Sequence, residues 1–184
     1  MQPLARGAAV AVAGLLFGCA RQPVPAPQPA PEPTVAAPPP TAPTRRPAAR
    51  PRNIASIVDT IFLLTNRERE RADLTPLRLN PALARAAQLQ AEQMAAAGKL
   101  SHSVSGSRYP TLASRLKLVG YVARSSGENV AEGYTSGAAL MAGWMTSAPH
   151  RANILSARYT ETGVGMARSK SGRTYSAQVF GRPR

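Results

Sequence analysis

Across 184 residues the chain has one cysteine, two histidines, nine acidic residues and few aromatics, 5% of the total. A single cysteine excludes an internal disulfide framework, so packing and hydrogen bonds must hold the fold. Scarce aromatics, with Arg and Lys scattered and not interleaved among them, exclude a base-stacking platform, and no nucleic acid is expected as a partner. The apolar run from Ala8 to Phe17 is too short to span a bilayer. Imidazole chemistry has only two places to be, His102 and His150. What the chain has in excess is positive charge: 23 Lys and Arg give a formal net charge of +14. Residues 53–184 alone hold 17 of the basic and 8 of the acidic residues. Such a surface favours an anionic lipid or a cell-envelope polymer, and a merely solvated Arg-rich face is the alternative.

The chain divides into three parts. Residues 1–18 read as a secretory signal: Arg6 supplies the charge, the apolar run follows, and Leu16-Phe17-Gly18-Cys19 closes it in a pattern similar to a bacterial lipobox. Acylation would explain Cys19, whose alternative is an incidental cysteine after an ordinary signal. Buried methylenes at about 0.8 kcal/mol each would make a multiply acylated Cys19 a firm membrane anchor. Arg21 follows, with no Asp there to argue for inner-membrane retention, so the outer membrane is the expected destination on the periplasmic side. Residues 19–52 then form a linker with twelve prolines and no glycine after Arg21. Extended polyproline at ~3.1 Å per residue would hold the remainder up to about 90 Å from the anchor.

Residues 53–184 form one domain. Ile54, Ile57, Val58, Ile61, Phe62 and Thr65 fall on one helical face capped by Asn53, and the run Arg67-Glu68-Arg69-Glu70-Arg71 reads as its solvated end. Leu74 to Leu79 is a connector. Asn80-Pro81 starts a second helix, closed by Gly98, whose many alanines would let another layer approach closely. His102 lies in the Ser-rich loop that follows, a third helix runs from Pro110 to Val119 with Leu112, Leu116 and Val119 inward, and Tyr121 to Val130 is irregular or extended. Ser136 caps a helix through Met145 that buries Trp144. Residues 162–168 and 174–180 read as strands joined by a hairpin. Helices before strands indicate an α+β layered domain.

The stretch Gly127 to Leu155 carries Glu128, Glu132, Trp144 and His150, so candidate acid/base groups stand at both ends of one short helix. Read one by one, His102 is an exposed loop histidine or a cleft residue. His150 is a capping or packing residue or its partner in that cleft. Glu128 bonds backbone amides or acts as a ligand, and the two roles can coexist. Glu132, Trp144 and Asn153 read as a solvated acid, a core aromatic and a turn-forming amide.

His102 after an Ala-rich helix, Gly127-Glu128-Asn129-Val130-Ala131, Trp144, His150-Arg151-Ala152-Asn153-Ile154-Leu155, Gly163-Val164-Gly165 and Gln178-Val179-Phe180 occur in one order. That order resembles the CAP superfamily, or SCP domain, in its bacterial branch, over about residues 54–181. The resemblance implies an α-β-α sandwich with a cleft lined by two histidines and acidic side chains, three of whose positions match His102, Glu128 and His150. The fourth, a Glu in eukaryotic members, is Ser147 here, and Pro149 stands where a Gly usually precedes the histidine. Two imidazoles and one carboxylate are also the ligand set of many open zinc sites, so zinc is the cofactor to test at His102, Glu128 and His150. Three functions follow as expectations: a tethered binding module for a lipid, glycan or protein, a metal-assisted peptidase or esterase, or a non-catalytic structural envelope protein. Oligomeric state is not encoded in any of these features.

Overall fold

The computed structural model describes residues 54–184. The signal segment, Cys19 and the linker lie outside the described residues. The chain runs α1 (Ile54–Glu70), β1 (Arg78–Leu79), α2 (Pro81–Ala97), α3 (Leu112–Leu118), β2 (Ala123–Glu132), α4 (Gly137–Thr146), α5 (Ala148–Ile154), β3 (Glu161–Arg168) and β4 (Thr174–Pro183). The four strands make one sheet in the order β1-β3-β4-β2, antiparallel except for the β1–β3 pair. Among the described residues no helix is long and apolar enough to cross a membrane.

Two hydrophobic clusters divide the core between the sheet's faces, which makes the domain the expected three-layer α-β-α sandwich. One joins Ile57 and Ile61 of α1 with Leu140, Met141 and Trp144 of α4, Ile154 of α5, and Val164, Met166 and Phe180 of the sheet. The other joins Leu83, Ala86, Ala87 and Met94 of α2 with Leu116 of α3 and Val130, Tyr175, Ala177 and Val179 of the sheet. Strand alternation sorts these side chains: Tyr175, Ala177 and Val179 face α2, and Phe180 faces the other layer.

The helix ends follow the sequence chemistry. Asn80 accepts from the amides of Ala82 and Leu83, Pro81 fills the first turn, and Gly98 closes α2 with a left-handed φ of 62°. Thr111 and Ser114 form a reciprocal capping box on α3, and Ser136 caps α4. The alanines of α2 do admit close approach. A Cβ on Gly163 would stand 1.9 Å from the amide nitrogen of Ala84, and one on Gly165 would stand 2.2 Å from that of Gln88. Gln88 then fastens the contact, accepting from the Met166 amide at 3.0 Å and donating to its carbonyl at 3.2 Å.

Three readings change and one narrows to the extended alternative. The connector contains β1, two exposed residues too short to show alternation. The segment read as irregular or extended is the ten-residue strand β2, whose polar half at the sheet edge bears side chains other than core hydrophobics. The chain beyond Ser147 coils into α5, with Pro149 in its first turn. Arg69, placed on a solvated run, is only 1% exposed. Its Nε donates to the carbonyl of Thr75 and its Nη1 to those of Ile154 and Ser156, at 2.8 to 3.0 Å, so it ties α1 to two loops.

Candidate functional site

The site is built at the β2 edge, where all three layers come together. Glu128 and Asn129 are successive residues of a strand, so they point to opposite faces. Glu128 meets the α2–α3 side and Asn129 the α5 side. The Glu128 side chain is 4% exposed, and its two oxygens are divided: Oε1 accepts from His102 Nδ1 at 3.1 Å, and Oε2 accepts from the Arg115 guanidinium. A carboxylate only accepts, so this contact places a hydrogen on His102 Nδ1, and in the neutral ring Nε2 is left as an acceptor on a side chain 61% exposed.

Arg115 is wholly buried. Its Nη1 donates to the carbonyls of Pro110 at 3.0 Å and Tyr109 at 3.4 Å, while Nε is buried without a partner. A buried guanidinium needs its carboxylate, since desolvation of an unpaired charge costs several kcal/mol. Arg115 thus fixes Glu128, and Glu128 orients the ring of His102. Sequence reading missed this residue, although the signal was present: Leu112, Arg115, Leu116 and Val119 follow the i, i+3, i+4, i+7 spacing of the inward face.

Asn129 holds the other half. Its Nδ2 donates to the carbonyl of His150 at 3.1 Å, and Asn153 Nδ2 donates to Asn129 Oδ1 at 2.9 Å and to the Glu128 carbonyl at 3.2 Å. Asn153 is therefore more than a turn former, because it ties α5 to the strand bearing Glu128. The side chain of Ser147, at the N-cap of α5, makes no cap bond to the backbone. Its Oγ lies 2.8 Å from His150 Nδ1. The Trp144 ring stands 6.3 Å from that of His150, and Trp144 is the buried core aromatic expected. Glu132 pairs with Arg173 at the surface, 3.2 Å away.

Burial first, and then the charge of His102, lower the pKa of His150 from its ordinary value. A histidine depressed in the folded state binds fewer protons there than in the unfolded chain, which titrates near 6.5. Its contribution to stability is full above that value and is lost as pH falls through the lower, folded pKa. The urea midpoint should fall between pH 7.5 and pH 5, and less steeply in His150→Gln. An equal fall in both proteins would contradict this assignment.

These residues do not fit a three-ligand zinc site. Both oxygens of Glu128 are taken, and a divalent ion placed against Oε2 would face the Arg115 guanidinium. Among the described residues no three His, Cys, Asp or Glu side chains group closely enough to hold a metal. The Nε2 atoms of His102 and His150 are the nitrogen donors that remain.

Residues 62–180 match the cysteine-rich secretory protein family, CAP. An uncharacterized protein of Bacillus subtilis, YkwD, is 28% identical over 139 residues, which cover 76% of this chain and 52% of that one. The crystal structure of an extracellular protein containing an SCP domain, from Bacillus anthracis, is 30% identical with a TM-score of 0.62, covering 70% of this chain and 41% of its own. An outer surface protein of Borrelia burgdorferi shares the fold at 14% identity, with a TM-score of 0.65 and coverage of 72% and 96%. The chain spans about half or less of the two Bacillus proteins.

Proposed function

This chain belongs to the cysteine-rich secretory protein family, CAP, and from that premise we propose that it is an exported binding module whose cleft engages a cell-envelope glycan or peptide. The observation that carries the reading is the Arg115–Glu128–His102 chain of contacts. It leaves Nε2 of the neutral His102 ring as an oriented acceptor, and burial favours the neutral form of His150. Oriented acceptors at an exposed edge suit ligands rich in hydroxyl and amide donors. Export is supported by the description of the Bacillus anthracis relative as extracellular. Acylated Cys19 and the linker would set the module's reach within the envelope, which suits capture more than turnover.

The Ser147–His150 contact favours a second reading, hydrolysis without a metal. Ser147 Oγ would bond to the acyl carbon of an ester or peptide as its proton passes to His150 Nδ1. His150 would return that proton to the leaving group, and water would then release the acyl group. Incubating the full chain with isolated peptidoglycan sacculi separates the readings. Binding predicts retention on the pellet, lost in His102→Ala, with no soluble fragments released. Release of fragments that stops in Ser147→Ala would establish hydrolysis. Retention unaltered by both His102→Ala and His150→Ala would refute the cleft as the binding site.

A further inference from the structure

A hollow of about 500 Å³ lies at the C-terminal end of α1, and none of His102, Glu128 or His150 lines it. Its walls include three guanidinium groups, Arg69, Arg78 and Arg182, against one carboxylate, Asp73, with Tyr159 and Thr160 beside them. Arg78 is partly engaged, 3.2 Å from Glu161 Oε1, and its side chain is 76% exposed. Arg182 is exposed.

Arg69 is the unusual member. It is buried, and among the described residues no carboxylate lies within ion-pair distance of it. A guanidinium carries five N–H donors, and three of them, on Nε and Nη1, reach the carbonyls of Thr75, Ile154 and Ser156. The two on Nη2 take no part in those bonds. Carbonyl dipoles hold the group in place without cancelling its charge, and burial lowers its pKa, as expected of a desolvated cation. With those three donors used, the two hydrogens of Nη2 remain for an anion's oxygens, a contact from one nitrogen that Arg78 and Arg182 would complete.

We propose that this hollow is an anion site that takes a phosphate group carried on a small polar body, with Arg69 as the fixed donor and Arg78 and Arg182 closing over it. The volume argues for more than a bare ion, since it falls within the range of small-ligand pockets, about 300–1,000 Å³. The group could arrive as a soluble phosphate ester or as a phospholipid headgroup, and both present the same oxygens. The site is independent of the cleft, so either can fail alone.

The test uses the full chain titrated with glycerol 3-phosphate by calorimetry, and sedimented with phosphatidylglycerol or phosphatidylcholine vesicles. Arg69→Met removes a three-carbonyl tie and can unfold the domain, so the deciding variant is the exposed pair R78Q/R182Q. The charge-matched control is R85Q/R124Q, with both arginines outside the hollow. Saturable binding of glycerol 3-phosphate, weakened at least tenfold in R78Q/R182Q and less than twofold in R85Q/R124Q and His102→Ala, supports a soluble ester. The same pattern confined to phosphatidylglycerol vesicles supports a headgroup. Binding that both arginine pairs weaken equally, or that R78Q/R182Q leaves unchanged, or no binding to either probe, overturns the site.

Discussion

Glu128→Ala should cost the fold about 3–5 kcal/mol, because it strands the Arg115 guanidinium, fully buried and with Nε already unpartnered. The loss should appear as a lower urea midpoint with the slope unchanged. Two further proteins separate charge from packing. Arg115→Met alone should be similarly harmful, since it leaves a 4% exposed carboxylate facing only His102. The double replacement Arg115→Met/Glu128→Met removes both charges and should recover much of the loss, as buried pairs exchanged together for apolar groups often do. A cost for Glu128→Ala below about 1 kcal/mol would mean that water reaches this pair, contrary to its burial.

The second large effect lies between α2 and β3. Gly163→Ala should destabilise the domain by about 3 kcal/mol or more, and Gly165→Ala by a similar amount. In each case the new methyl would meet helix backbone, at 1.9 Å and 2.2 Å, and backbone cannot rotate aside as a side chain can. Gly172→Ala is the comparison. Its φ is +85° but nothing lies within 4 Å, so only backbone strain of about 1–2 kcal/mol applies. If all three changes cost the same, close approach of α2 to the sheet does not explain the Gly163-Val164-Gly165 sequence.

The contrast between these two sites shows what the sequence could reveal. Helix caps at Asn80 and Ser136, the hairpin after Arg168 and the alanine face of α2 follow local rules, and each is legible in the order of residues alone. The strand bearing Glu128 was harder, because an edge strand that supplies a site replaces apolar alternation with Ser125, Ser126, Glu128 and Asn129. Arg69 and Arg115 were hidden for a different reason. Each is an arginine on an inward helical position, and charge alone argues for solvent. The spacing of Leu112, Arg115, Leu116 and Val119 marks the inward face of α3, but the carbonyls and the carboxylate that make burial of either arginine possible come from distant segments. His102 and His150 could be singled out by rarity and by resemblance. That Glu128 would be gripped by an arginine, and so be poorly placed for a metal, required the third helix to be packed against the strand.

Two roles of Glu128 are now distinguishable: it can serve the fold through Arg115, or the cleft through His102, or both. Glu128 does both, and the protonation of one ring tests it. Nitrogen-15 histidine spectra of the full chain, recorded at a pH where His102 is neutral, report which ring nitrogen carries hydrogen. The account predicts the Nδ1–H form for His102, reverting toward the Nε2–H form of a free imidazole in Glu128→Gln. A wild-type His102 already in the Nε2–H form would show that Glu128 does not orient it and would leave the cleft without its organising contact.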